Sequence, residues 1–174
     1  SWKNVPTQSI TAGGVDFKYR ELGTHIGGTP VLFLTHLAAV LDNWDPRVMD
    51  GIAAKHHVIA FDNRGIGASS GSPANSMEQM ADDAITFIKA MGLKQVDLLG
   101  FSMGGMIAQH LAARAPQRVA SLTLMMTSSG ARSLPQPGWA LQRTLMSRPE
   151  GPGTDAAVDW IMHMLRAIGS PAYP

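Results

Sequence analysis

Gly100-Phe101-Ser102-Met103-Gly104 is the stretch of this sequence whose residue types and spacing could do covalent chemistry. It matches G-x-S-x-G, in which a serine hydroxyl is carried on a sharp turn and can attack a carbonyl carbon. The flanking glycines keep side chains out of that turn, and Gly105 lets a following helix approach closely. A helix starting just after the serine offers unpaired N–H groups and a partial positive charge where an oxyanion would form. The plain alternative is a Gly/Ser turn with no chemistry. Context separates the two, because the nucleophile needs a strand before it and a helix after it. Ser102 is the candidate nucleophile.

Such a serine needs a base within hydrogen-bond reach. The histidines are His25, His36, His56, His57, His110 and His163. His110 lies further along the helix expected after Ser102, about 12 Å away at 1.5 Å per residue, and does not reach back. His56 and His57 precede a strand, at the wrong edge of a sheet. His163 is expected to be exposed or packed rather than catalytic. Without an H-E-x-x-H spacing or any cysteine, no metal site is expected. Gly65 to Ser70 has two glycines of a dinucleotide fingerprint, but Ser70 replaces the third and no helix opens there, so it reads as a turn. No cofactor is expected.

The elements that must position Ser102 follow from the hydrophobic pattern. Val31–Leu34 and His57–Phe61 read as buried strands, Val96–Leu99 as a third and Val119–Met126 as a fourth. Helices are expected around 45–55, from Ser76 to Gly92, and over 103–115 before Pro116. Ser76 and Gln79 fit a capping box, and Met77, Met80, Ala81, Ala84, Ile88 and Met91 share a face. Strand and helix alternating at this spacing imply crossover connections, hence a mostly parallel α/β sheet with helices on both faces. Gly14 to Arg20 reads as an antiparallel edge strand paired with Ser9–Thr11. Beyond Met126 the composition turns proline-rich, with helical patterns over 139–146 and 154–168. In the second, Val158, Ile161, Leu165 and Ile168 share a face.

Composition narrows the class. The 174 residues suit one domain; 45% are hydrophobic and 16% charged, with a net charge of +1 and no cysteine. A near-neutral chain lacks the basic surface that nucleic acid or an anionic membrane would require. The N-terminal residues carry no secretory pattern and the apolar runs are far short of a membrane span, so a soluble, cytoplasmic protein is expected.

Taken together, three motifs make the chain resemble the α/β-hydrolase superfamily over about residues 15–126. Thr35-His36-Leu37-Ala38 stands after a strand, where the family carries its His-Gly oxyanion loop. Asp62 to Ser69 resembles the D-x-R-G-x-G-x-S turn after the next strand, and Gly100–Gly104 is the elbow. The resemblance implies Ser102 as nucleophile, with the backbone N–H groups of Met103 and Ala38 as oxyanion donors. It gives His36 the task of holding the loop rather than acting as base. Leu37 stands where the family usually has Gly. The turn at Asp62 and Arg64 is expected to support the elbow.

The resemblance also divides the chain into the N-terminal part of a hydrolase core, 1–126, and the start of a helical cap, 127–174. It puts the acid and histidine of the triad after the cap, so both are expected beyond residue 174, on the C-terminal remainder of a longer protein. The implied activity is that of an esterase or lactonase on a small to medium apolar acyl substrate. Perhydrolase or haloperoxidase chemistry, acyl transfer, and ligand binding without turnover are the alternatives on the same scaffold. Met103, Met125 and Met126 are candidates for the pocket, and Met146, Met162 and Met164 for the cap. Ordinary packing is the competing reading for all six, and for Trp44 and Trp160.

Overall fold

Alternating side chains in a strand point to opposite faces of its sheet, so a continuous apolar run requires cover on both sides. The runs read above have that cover in the computed structural model, which describes residues 1–131 and 133–170. The strands are β1 (Gln8–Ala12), β2 (Val15–Leu22), β3 (Val31–Leu34), β4 (Val58–Phe61), β5 (Val96–Phe101) and β6 (Val119–Met125). They form one sheet in the order β1-β2-β4-β3-β5-β6. Strands β4, β3, β5 and β6 are mutually parallel, while β2 runs antiparallel to both β1 and β4. The crossovers are α1 (Pro46–Ala53), α2 (Met77–Ala90) and α3 (Met103–Arg114).

The core lies in two layers. Leu32, Leu34, Ile59, Phe61 and Leu98 pack with Ala84, Phe87 and Ile88 of α2 and Ile107 and Leu111 of α3. On the opposite face Phe33, Val58 and Ala60 pack with Met49 and Ala53 of α1, and with Trp2 and Leu41. Phe87 makes aromatic contacts with Phe17, Tyr19 and Phe61, which fixes α2 over the strands.

Asp45 caps α1 by accepting the Arg47 N–H at 2.8 Å, and Pro46 follows at the first helical position, where its missing N–H costs nothing. Ser76 caps α2 through the Gln79 N–H. The Gln79 side chain returns to the N–H of Asn75 instead of that of Ser76, a variant of the expected box. β1 and β2 form a hairpin, but β2 is not an edge: β4 flanks it on its other side and β1 is the outer strand. Among the described residues β6 pairs with β5 alone and is largely exposed, Leu122, Leu124 and Met125 being 38–48% accessible.

The chain separates into two compact units, Ser1–Gly130 and a second beginning at Ala131. The second contains α4 (Trp139–Leu145) and α5 (Thr154–Ile168), which pack on each other. Trp160 donates its indole N–H to the Ser147 hydroxyl at 2.9 Å. Val158, Ile161, Leu165 and Ile168, the shared apolar face of α5, are all exposed. Residues 171–174 of the expected cap lie outside the described residues.

Candidate active site

Ser102 is the single residue between β5 and α3, and its backbone sits at φ 54°, ψ −118°. An L-residue there is sterically strained, at a cost of about 1–3 kcal/mol that the surroundings must impose. Two hydrogen bonds impose it. The Ser102 N–H donates to the Met125 carbonyl of β6 at 2.9 Å, and the Gly105 N–H donates back to the Ser102 carbonyl at 2.9 Å. Gly104 lets α3 descend onto the end of β3: a Cβ there would collide with the Leu34 carbonyl and lie 2.7 Å from the Thr35 carbonyl oxygen. Ser102 remains half-exposed, and its hydroxyl does not cap the helix behind it. Met103, also half-exposed, is the first residue of α3, so its N–H is among those without an intrahelical partner.

The loop after β3 leaves the sheet beside this bend, because Leu34 is in register with Gly100. The His36 ring stands edge-on to Phe101 at 5.7 Å, and its Nδ1 is 3.0 Å from the Leu37 carbonyl. Phe101 also lies 6.5 Å from Trp44, which packs on Phe33. The left-handed backbone falls on Ala38, at φ 58°, and not on Leu37. A leucine is therefore tolerated where the family usually has glycine, because that position makes no demand for positive φ. Ala38 is exposed. Ser102, Met103 and the 35–40 loop thus share the edge where β3 and β5 end.

The remaining histidines have other partners or places. His57 Nε2 is 2.9 Å from Glu21 on β2, at the end of β4 opposite that edge. His110 faces Glu78 at 3.9 Å on the outside of α3. His25 and His56 are exposed. His163, exposed as expected, lines a cleft of about 510 Å³ inside the second unit, together with Arg143, Arg148, Asp159 and Trp160. Among the described residues no cluster of three potential metal ligands occurs.

The turn after β4 works differently from the expectation. Arg64 forks onto Asp83 of α2, at 2.8 and 2.5 Å, and so clamps the turn to that helix. Asp62, 4% exposed, accepts the N–H of Leu41 at 2.9 Å and that of Ala68 at 3.2 Å. Burial raises its pKa above the ordinary carboxylate value, against the lowering effect of those two N–H groups. The turn therefore braces the loop after β3 and helix α2. The signal for this was an acidic residue directly after a wholly apolar strand.

A family model for the alpha/beta hydrolase fold matches residues 29–161. The chain belongs to the α/β-hydrolase family.

Among its relatives, this α/β hydrolase is 34% identical over 114 residues to "Putative carbamate hydrolase RutD" of Azorhizobium caulinodans, covering 65% of this chain and 42% of that protein. It is 33% identical over 114 residues to "Putative non-heme bromoperoxidase BpoC" of Mycobacterium tuberculosis, with the same two coverages. Among solved structures it is similar to the enol-lactonase from Burkholderia xenovorans LB400, with a TM-score of 0.67 and 26% identity, over 90% of this chain and 58% of that one. The chain thus spans 42% of the length of the two curated relatives. None of the described helices of this α/β hydrolase is long and apolar enough to cross a membrane.

Proposed function

We propose that the protein carrying this chain is a serine hydrolase that cleaves an ester or related acyl bond of a small to medium apolar substrate through an acyl-enzyme. The observation that carries the reading is the backbone of Ser102, held at φ 54° on a bend between strand and helix with its side chain left uncommitted. Strain of this kind persists only where the fold over-determines it, and a reactive hydroxyl is a reason to keep it. The names of the carbamate hydrolase and enol-lactonase relatives, both of which describe acyl chemistry, support the same class.

In this mechanism Ser102 Oγ adds to the acyl carbon while a histidine beyond residue 174, oriented by an acid also beyond it, takes the hydroxyl proton. The carbonyl oxygen becomes an oxyanion and receives the N–H groups of Met103 and Ala38. Each such donor is worth about 2.7–4 kcal/mol of barrier. The C–O bond to the leaving alcohol then breaks, and the histidine gives that alcohol the proton. Water repeats the sequence on the acyl-enzyme, releasing the carboxylic acid and restoring the serine. Residues 127–174 would begin a helical cap.

A fluorophosphonate probe tests the proposal in the full-length protein. Stoichiometric labelling of Ser102, lost in Ser102→Ala, is expected. A folded sample that is not labelled would instead make the protein a ligand-binding module. The bromoperoxidase relative favours one second reading, peracid formation at the same acyl-enzyme. It would appear as hydrogen peroxide outcompeting water for the acyl group.

A further inference from the structure

The loop that carries Ala38 is pinned at its far end by four side-chain contacts. The Val40 N–H donates to the Asn43 side chain at 2.8 Å, Asp42 pairs with Arg20 of β2 at 2.7 Å, the Leu41 N–H donates to Asp62 at 2.9 Å, and the Leu41 carbonyl accepts the Trp2 indole N–H at 3.4 Å. The first two are at the surface; the two at Leu41 are buried, and the shorter of them is the one to Asp62. Asp62 itself is immobilised from every side. Its N–H donates to the Lys18 carbonyl at 2.8 Å, its carbonyl accepts the Ser69 hydroxyl at 2.7 Å, and its second carboxylate oxygen accepts the Ala68 N–H.

The residue type is specified closely. Two backbone donors arrive from two different segments, so two acceptor oxygens are needed; an asparagine offers one oxygen and would aim an NH₂ at the other donor. A longer acid has no room, because the carboxylate already occupies the space that a Cβ on Gly67 would take. A turn that served only to reverse the chain would not need this. What the carboxylate fixes is the anchor point of the 36–40 segment, three residues beyond Ala38.

We propose that Asp62 is a positioning residue for the reaction: by holding Leu41 at the end of β4, its carboxylate sets the left-handed turn of Ala38 and aims that residue's N–H at the oxyanion. The proposal rests on the serine-hydrolase reading above. It predicts that weakening the anchor slows the chemical step without loosening substrate binding, because the donor is used fully only when negative charge has developed.

The test compares Asp62→Asn with wild type in the full-length protein. It reads the rate of fluorophosphonate labelling at Ser102, kcat and KM on p-nitrophenyl butyrate, and hydrogen exchange of peptides covering residues 35–44. The labelling rate and kcat should both fall roughly tenfold to a hundredfold, as for a catalytic group displaced by about 1 Å, with KM within about threefold. Exchange should rise in 35–44 while β4 and α2 stay protected. Faster exchange with kcat and labelling unchanged would make Asp62 a structural residue only and overturn the proposal, as would unchanged exchange. Wild-type protein that is never labelled at Ser102 would instead refute the hydrolase reading, a separable outcome. If Asp62→Asn does not fold, Gly67→Ala crowds the same carboxylate without removing its charge and is read by the same assays. Failure of both variants to fold assigns Asp62 to the fold and overturns the proposal.

Discussion

Replacing Gly104 by alanine asks whether the bend at Ser102 depends on a backbone-to-backbone approach of α3 onto β3. The added Cβ would collide with the Leu34 carbonyl and lie 2.7 Å from the Thr35 oxygen, against 3.4–4 Å for ordinary contact. Helix and strand must therefore part by at least about 0.7 Å at Thr35 and by more at Leu34. Neither can yield easily, because Leu34 is locked in the ladder opposite Gly100 and Gly104 lies in the first turn of α3. Overpacking costs about 1–3 kcal/mol where side chains can adjust, so an obstacle made of backbone belongs at the top of that range or above. Alanine returns about 0.5–1 kcal/mol as the better helix former. The expected net loss is about 2–3 kcal/mol, or roughly 4–12 °C in Tm. Gly105→Ala is the control. Its Cβ would meet the Thr127 side chain at 2.5 Å, outside any helix and half-buried, so the net loss should stay near 1 kcal/mol. Urea and thermal denaturation of the purified full-length variants measure both. A Gly104→Ala loss below about 0.5 kcal/mol, or one smaller than that of Gly105→Ala, would refute the packing argument.

Three further outcomes follow from the site and its supports. Ser102→Gly should exceed Ser102→Ala in stability by about 1 kcal/mol, since glycine relieves the strained φ and alanine does not; equal denaturation midpoints would argue against strain at the bend. Arg64→Ala, which strands the buried Asp83 carboxylate, should cost about 2–4 kcal/mol, and adding Asp83→Ala should restore part of it in a double-mutant cycle. Hydrogen bonds from Arg47 lower the pKa of Asp45 from 3.8 to about 2. A depressed folded-state pKa means the contribution is complete above the unfolded value and is lost as pH falls from about 4 through 2. Urea midpoints across that window should drop more steeply in wild type than in Asp45→Asn, which has no charge to lose there.

Much of the fold was legible because burial on two faces writes itself as an unbroken apolar run, as in Val31–Leu34 and Val58–Phe61. The elbow was legible for a different reason: a sharp bend with close helix approach admits few residue types, and Gly100, Gly104 and Gly105 mark it. Strand order was not written locally. Nothing in Val15–Leu22 announces that β4 flanks it, so it read as an edge. Helical periodicity underrated α2, where Phe87 is fully buried and Asp83 is buried by its pairing with Arg64. An acidic residue directly after a wholly apolar strand marked Asp62, but its partners were not legible, because Leu41 and Ala68 contribute backbone groups brought in by the fold. Leu37 stands where the family usually has glycine; the positive φ one residue later, at Ala38, shows why the chain accepts it.

The central claim is that an acyl group passes through the oxygen of Ser102. Full-length protein mixed with p-nitrophenyl acetate and quenched within the first turnover gives the direct test, read as the mass of the peptide containing Ser102. An added acetyl group on Ser102, formed with a stoichiometric burst of nitrophenolate and absent in Ser102→Ala, is the predicted result. Steady ester turnover that leaves Ser102 unmodified and survives Ser102→Ala would contradict it.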